Sequence, residues 1–288
     1  MKPVDSSARG GFMIEFGMPT LIENRTLEDN IALCRELSLS FIELNMNFLE
    51  YQIDRIGDTD YFYRKADEAG IYYTIHLDEN LNVADCNPLV RDAYLKTVQR
   101  TVEAAGHFVA LKDKYGNKDK PLTINMHMNH GVYITLPDKK VYMYERDFDT
   151  YMAAIDSFVQ CCEEWIGDSD IKIAIENTDG FTGYEKKAIR RMLLSDCFVL
   201  TWDIGHSKGT GEKDVPFILD NKDKLRHFHI HDGAQNPPRN HLALGDGEIA
   251  LSERLRTASE CNARCVLETK TKEALKQSVR WLLENGYF

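Results

Sequence analysis

Short apolar runs alternate with amphipathic stretches along the chain. The apolar runs have the length of buried strands, and the intervening stretches repeat apolar residues at the three- and four-residue spacing typical of helices that pack on one face. The predicted strands are Phe12–Met18, Phe41–Met46, Tyr72–Leu77, Leu122–Met128, Ile171–Asn177, Phe198–Ile204, Leu225–His231 and Cys265–Thr269.

Helix signals fall between these strands. Thr26 begins the sequence Thr-Leu-Glu-Asp, which has the form of a capping box and predicts that a helix starts there. Pro88 through Lys114 is long and periodic, and Phe148–Trp165 and Lys272–Asn285 repeat apolar residues at three and four.

Regular alternation of strand and helix implies parallel strands joined by right-handed crossovers. The 288 residues contain no Pro/Gly-rich linker and no break in composition, so we expect one domain over residues 1–288. Eight such units predict an α/β fold of the (β/α)8, or TIM barrel, type, which typically needs about 250 residues. A doubly wound open sheet is the alternative, but it would not explain polar residues at the carboxyl end of nearly every strand.

Composition places the chain among ordinary globular proteins, with 43% hydrophobic and 28% charged residues. No apolar run approaches the roughly 20 residues of a membrane span, and the segment Met1 to Gly11 has no signal-peptide core. The seven cysteines form no CxxC pair, so we expect reduced packing residues in a cytoplasmic protein. A lone reactive thiol is the alternative.

The net charge of −11 argues weakly against a nucleic-acid partner. A nucleic-acid-binding protein usually shows a basic face, and the basic residues here gather only in short pieces such as Lys186-Lys187 and Arg190-Arg191. The argument is weak because bound divalent cations would offset part of the negative charge.

Polar side chains recur at the carboxyl ends of the predicted strands, the end that carries the active site in a barrel. Side chains two apart share a face of a strand, so His227, His229 and His231 point the same way. His206 follows just beyond the turn after the sixth strand. Six strands deliver a histidine or carboxylate to this end: His76, His127, Glu176, Asp203, His229 and Glu268.

Converging carboxylates repel one another unless a cation lies between them. Mixed histidine and carboxylate ligands suit zinc, manganese, cobalt or iron, whereas calcium prefers oxygen alone. Any single residue could instead be an ordinary polar side chain. We expect such an ordinary role for His227, which lies deepest in its strand, and for His107 and His130. For Glu176, Asp203, His229 and Glu268 together, the same explanation would need four unrelated coincidences at equivalent barrel positions.

The motifs around these residues, in order, are HLDENLN, NMHMN, IAIENTDG, TWDIGH, HFHIHDG, HLALGDGEI and CVLETKT. Together they resemble the xylose isomerase-like barrel superfamily, which contains sugar isomerases and epimerases and also endonuclease IV. The resemblance runs from the third predicted strand to the eighth. It is specific for the superfamily but not for one reaction.

In the epimerase branch, the resemblance implies a divalent metal (manganese, zinc or cobalt, or else magnesium) held by Glu176, Asp203, His229 and Glu268. It also implies that Glu176 and Glu268 exchange a proton with the sugar carbon next to the carbonyl, which agrees with the chemistry of metal-assisted proton transfer. The substrate would be a small sugar, a sugar phosphate or a related polyol. Such barrels are often homo-oligomers.

Further candidates for binding substrate or a second metal are His76, His127, His206, His231, Arg239 and His241. The endonuclease branch matches most of them but carries aspartate where this chain has Arg239, and a guanidinium has no lone pair with which to ligate a metal. A cation there could hold a substrate phosphate or carboxylate. Glu15, Glu43 and Asn45, on the first two strands, could face the same cavity or have structural roles.

Three hypotheses follow. The favoured one is a metal-dependent sugar isomerase or epimerase. The second is a zinc-dependent phosphodiesterase acting on abasic DNA, which would need side chains that enter the base stack. The loop Asn47–Gln52 has aromatic residues, but Glu50 and Asp54 make it poor for a phosphate backbone. The third is a non-catalytic barrel that binds metal as a structural element.

Overall fold

The computed structural model describes residues 14–288, in which eight parallel strands form a closed barrel. Consecutive strands pair in chain order, and β1 closes the barrel onto β8 through Glu15 opposite Arg264. The strands are β1 Glu15–Pro19, β2 Phe41–Asn45, β3 Tyr72–His76, β4 Leu122–His127, β5 Ile171–Glu176, β6 Phe198–Asp203, β7 Leu225–Ile230 and β8 Arg264–Leu267. The predicted (β/α)8 barrel is therefore confirmed, and closure excludes the open sheet. Phe12 and Met13, like Met1 to Gly11, lie outside the described residues.

Seven longer helices surround the barrel: α1 Leu27–Glu36, α2 Thr59–Ala69, α3 Pro88–Tyr115, α4 Phe148–Ile166, α5 Gly183–Met192, α6 Leu251–Glu260 and α7 Lys272–Glu284. Short helices cover Ile53–Ile56, Met143–Arg146, Ile204–Gly209 and Val215–Asp220, with 3-10 turns at Leu49–Tyr51 and Lys222–Lys224. The start of α1 follows the predicted capping box, because Thr26 and Asp29 each accept a hydrogen bond from the other's main-chain N–H. No helix in the described range is long and apolar enough to span a membrane.

Two antiparallel hairpins at the carboxyl end of the barrel were not predicted. The β4 hairpin, Tyr133–Thr135 with Lys140–Tyr142, follows β4, and the β7 hairpin, Asp232–Gln235 with Pro238–Leu242, follows β7. All four strands are short, and all except the largely buried Asp232–Gln235 are mostly exposed or half-buried. They therefore lack the long apolar alternation that identifies a strand from sequence.

A buried ionic network fills the amino end of the barrel. The Arg264 guanidinium donates to the Tyr72 hydroxyl at 2.7 Å and to the Lys120 carbonyl at 2.9 Å. Glu15 Oε2 lies 3.5 Å from Lys120 Nζ and 3.6 Å from Arg264 Nε. Glu15 therefore sits at the opposite end of the barrel from the predicted site, because it is the first residue of its strand. Of the two alternatives left open for Glu15, the structural role is therefore the one that the structure supports.

The seven cysteines are free thiols, as the expectation of reduced packing residues requires. Cys34 and Cys265 are buried, and that burial raises the pKa of each thiol to about 12. Both are therefore unreactive near neutral pH. Cys86 is exposed, in the loop before α3.

Candidate metal centre

His229, fully buried on β7, lies at the centre of the predicted site. Its Nδ1 is 3.2 Å from Glu176 Oε1, 3.2 Å from Glu268 Oε2 and 4.0 Å from Asp203 Oδ2. One ligand atom from each of these four residues lies within 4.8 Å of the others. They come from β5, β6, β7 and the carboxyl end of β8, which are consecutive strands of the barrel. We call these four residues the quartet.

The quartet has the properties of a cation site. The Nδ1 nitrogen of His229 has no hydrogen-bond partner among the described residues, and Glu268 Oε2 has none either. Buried polar atoms are nearly always paired, and three carboxylates around one imidazole leave an excess of negative charge. One nitrogen and three carboxylate oxygens form a donor set that manganese, zinc and cobalt accept. The residues present therefore fit a divalent cation.

The histidines and the cationic side chain around the quartet keep its two glutamates ionised. Burial acts to raise the pKa of Glu176, but the charges of His229 and His127 outweigh it and hold that pKa well below the usual range. Burial acts in the same way on Glu268, where His229 and Lys270 lower the pKa. Both glutamates are thus in the deprotonated form that a metal ligand requires.

Glu43, in the middle of β2, supports the quartet from below. Its Oε1 is 2.8 Å from His229 Nε2, and its Oε2 is 2.9 Å from His227 Nε2 and accepts from Thr74 Oγ1 at 3.2 Å. A carboxylate on the far nitrogen is the usual way to orient a metal-binding histidine. This contact leaves Nδ1 of His229 toward the three carboxylates. His227 lies one layer deeper and contacts Thr123.

Two further histidines approach Glu176 from β3 and β4. His76 Nε2 is 3.4 Å and His127 Nε2 is 3.3 Å from Glu176 Oε2. His76 Nδ1 lies 2.7 Å from the Leu77 carbonyl, so it carries the proton and Nε2 is the free nitrogen when the ring is neutral. His76, Glu176 and His229 form a second group of potential metal ligands that shares two members with the quartet.

His231 braces Asp203, and with His241 and Glu268 it also forms a further group of potential metal ligands. Its Nε2 is 3.0 and 3.1 Å from the two Asp203 oxygens, and its Nδ1 accepts from the His241 main-chain N–H at 3.0 Å. A Cβ on Gly205 would lie 1.8 Å from the His231 ring, so glycine is required there. Asp203 also accepts from the His206 N–H at 2.7 Å, which caps the helix that follows.

A cavity of about 750 Å³ opens above the quartet at the carboxyl end of the barrel. Glu268 lines it, together with the predicted residues His76, His127, His206 and His241. Lys270 and three side chains of the β4 hairpin, Tyr133, Lys140 and Tyr142, complete this part of the lining. Arg239 is exposed on the β7 hairpin and does not line this cavity.

Lys270 is the site residue that the sequence reasoning missed. Its Nζ lies 2.7 Å from Glu268 Oε1, at the mouth of the cavity. The available signal was its position two residues after Glu268 in the CVLETKT motif, because residues two apart point to the same side of an extended chain.

The family model described as xylose isomerase-like TIM barrel matches residues 31–285, and the chain belongs to this family. A comparison with curated protein sequences found no significant match. Among solved structures, a D-tagatose 3-epimerase-like protein is 20% identical with a TM-score of 0.69, over 95% of this chain and 97% of the other. The 3-keto-D-glucoside 4-epimerase of E. coli is 15% identical with a TM-score of 0.72, over 94% and 99%.

D-psicose 3-epimerase from Clostridium cellulolyticum H10, in a structure with D-tagatose, is 12% identical with a TM-score of 0.68, over 95% of this chain and 99% of that one. At such low identity these likenesses establish the shared fold, and they extend over nearly the whole of each chain.

Proposed function

We propose that this protein is a divalent-metal-dependent isomerase or epimerase of a small sugar, sugar phosphate or related polyol. The observation that carries the proposal is the position of Glu268, which belongs to the quartet and also lines the cavity. A carboxylate in that position can reach a substrate carbon while its neighbours hold a cation. The sugar epimerases named among the similar structures support the same reaction class.

Glu176, Asp203, His229 and Glu268 would hold the metal. When bound there, a divalent cation supplies Lewis acidity toward a carbonyl oxygen and stabilises negative charge that develops on it. Glu43 and His231 fix the orientation of His229 and Asp203 through the contacts described above.

Proton transfer is assigned to the two glutamates. One removes the proton from the carbon next to the carbonyl, which leaves an enediolate, and later releases that proton to solvent. The other first takes up a proton from solvent and then returns it to the same carbon, or to the neighbouring carbon if the hydroxyl proton has moved from one oxygen of the enediolate to the other. Return to the opposite face of the same carbon gives an epimer, whereas return to the neighbouring carbon gives an isomer. Lys270, 2.7 Å from Glu268 Oε1, holds that carboxylate at the cavity face. His206 and His241, which line the cavity, would bind substrate hydroxyls.

The test is exchange of solvent deuterium into a sugar carbon, followed by NMR, with manganese and with D-fructose, D-tagatose, D-psicose and L-ribulose. We expect Glu268→Gln to lower the exchange rate by about 10²–10⁴-fold, the usual contribution of a general base. Glu284→Gln, at an exposed position on α7, is the matched control and should not change it. Undiminished exchange in Glu268→Gln would remove the assigned role, and no exchange with any of these sugars or their phosphates would overturn the function.

The phosphodiesterase hypothesis retains one specific observation, the approach of His76 and His127 to Glu176. It predicts incision of a duplex that contains an abasic site when zinc is added, and absence of incision at high enzyme concentration would remove it. If the metal is purely structural, its removal by a chelator should lower the melting temperature, and the protein should turn over neither sugar nor DNA.

A further inference from the structure

A second cavity, of about 730 Å³, adjoins the one above the quartet. It lies between the loop after β5 and the loop after the helix Ile204–Gly209, and Gln235 of the β7 hairpin also lines it. Three residues line both cavities, namely His130, Asp179 and Tyr142. The two cavities therefore share one wall, and a ligand in the first can extend over that wall into the second.

Ion pairs of His130 hold the shared wall in place. His130 Nδ1 lies 2.5 Å from Glu185 Oε1, and His130 Nε2 lies 2.5 Å from Asp179 Oδ1. The hydrogen bonds to Asp179 and Glu185 raise the pKa of His130 to about 10, so the ring is a cation between two carboxylates. Glu185 is itself buried, and its Oε2 accepts from the Thr182 N–H at 2.7 Å at the start of α5. This arrangement gives the wall a preformed shape.

The second cavity has the chemistry of a carbohydrate subsite. Its lining combines hydroxyl and amide groups, from Thr210 and Gln235, with the aromatic rings of Tyr142 and Phe181. A sugar ring offers hydroxyls that donate and accept, together with an apolar C–H face. Pockets of roughly 300–1,000 Å³ hold small organic ligands, so each cavity has room for one ring.

Asp214 contributes a buried carboxylate to the second cavity. Its side chain is buried and lines the cavity. Oδ2 accepts from Asn177 at 2.7 Å and from Ser207 at 3.0 Å, but Oδ1 has no donor among residues 14–288. Because Oδ1 is itself covered, Asp214 forms part of the fixed floor of the cavity, and the polar groups that can meet a ligand are those of the more exposed Thr210 and Gln235. In the lining, Lys213 and the His130 cation balance Asp179 and Asp214, so the cavity offers no excess of positive charge for a phosphate.

We propose that the second cavity is a subsite for a second sugar ring, so that the substrate class is a carbonyl sugar that carries a glycosyl group. This inference rests on the proposed function, because the reacting ring is placed over the quartet. The neighbouring ring would lie across the wall of His130 and Tyr142, between the loops that carry Asp179 and Thr210.

Glycine positions allow a sharp test. A Cβ on Gly209, which lines the second cavity, meets no atom within 4 Å, so Gly209→Phe should fill the cavity without a clash at the backbone. Gly106 is likewise an exposed helical glycine with nothing within 4 Å, but it lies on α3 away from both cavities. Gly106→Phe is therefore the matched control.

The experiment compares D-fructose with its 6-O-glucoside, isomaltulose, in the manganese-loaded enzyme. The readout is the ratio of kcat/KM for deuterium exchange, isomaltulose over fructose. We expect a ratio of about ten or more in the wild type. The ratio should fall by at least about tenfold in Gly209→Phe and should not change in Gly106→Phe. A tenfold change corresponds to the loss of one modest set of ring contacts. A wild-type ratio near one, or a ratio that Gly209→Phe leaves unchanged, would overturn the subsite while the proposed function stands.

Calorimetric binding of the same two sugars separates the subsite from the reaction. If no sugar exchanges deuterium, the proposed function fails. Tighter binding of isomaltulose than of fructose, lost in Gly209→Phe and kept in Gly106→Phe, would still support the subsite. Equal binding of the two sugars in the wild type would overturn it.

Discussion

Both ends of the barrel bury charged side chains, but the two ends balance that charge differently. At the amino end, Glu15 lies between Lys120 and Arg264, and the Arg264 guanidinium also donates to the Tyr72 hydroxyl. At the carboxyl end, three carboxylates lie around one nitrogen of His229, and that nitrogen makes no hydrogen bond with the described residues.

This difference separates a structural network from a candidate site. Buried charge is costly unless it is paired, and the amino end satisfies that requirement with groups of the chain itself. The carboxyl end instead gathers three carboxylates around one imidazole nitrogen, an arrangement that a divalent cation from solution would fit. Burial of a charged residue is therefore a weak sign of function, and several carboxylates around one nitrogen are a stronger sign.

The largest expected effect is at the amino end, on stability. Arg264→Met removes the cation that faces Glu15, and breaking a buried pair in this way typically costs about 3–5 kcal/mol. We expect that loss in the free energy of unfolding measured with urea, with an unchanged affinity for manganese. A weaker affinity for the metal would show that the two ends are not independent.

The next effect is removal of metal at the carboxyl end. A ligand that binds only the folded chain at about 100 times its Kd stabilises it by about 2.7 kcal/mol. Chelation should therefore lower the melting temperature of the wild type. The decrease that chelation causes should be the same in Arg264→Met. Equal melting temperatures with and without manganese would mean that no cation relieves the charge of the quartet.

A smaller effect is expected from Glu43→Gln, below the quartet. Glu43 contacts His229 Nε2 at 2.8 Å, and loss of such a supporting carboxylate usually weakens metal affinity by about 10–100-fold. Calorimetric titration with manganese measures the affinity of the variant for the metal. Glu36→Gln, an exposed carboxylate paired with Lys276 on the outer surface, is the control and should bind as the wild type does.

The last effect, which screening at a partly exposed site reduces, concerns the wall shared by the two cavities, where His130 is paired with Asp179 and Glu185. Its pKa is raised from 6.5 to about 10 in the folded protein. A raised pKa stabilises the fold fully below about pH 6.5, and that contribution disappears as the pH rises through about 10. The stability difference between wild type and His130→Gln, from urea midpoints, should thus shrink over this range. A difference that grows with pH would contradict the assigned charge.

Much of this architecture can be read from the sequence because period-two and period-3.6 patterns are local. The predicted strands from Phe41 onward begin and end within two residues of the observed ones. The meeting of the four quartet side chains could be predicted as well, because polar residues at the carboxyl end of strands converge by topology alone in a parallel barrel. The choice of these four as metal ligands came from the family resemblance and stays a prediction.

Other features depend on how far along the barrel axis a residue lies. Glu15 and Glu43 each appear in the sequence as an acidic residue in an apolar strand, yet one pairs with Arg264 at the amino end and the other contacts His229. That distinction follows from the closed register of the strands, which no local pattern encodes. The hairpins and Lys270 escaped prediction because their segments are short and polar.

The most direct test of the metal centre is the manganese and zinc content of protein purified without chelator, by elemental analysis, in the wild type, in Asp203→Asn and in His76→Ala. We predict one divalent metal per chain in the wild type, little or none in Asp203→Asn, and an unchanged content in His76→Ala. A wild type that neither contains nor takes up a divalent metal, or an Asp203→Asn variant that keeps its full content, would contradict the assignment of the quartet.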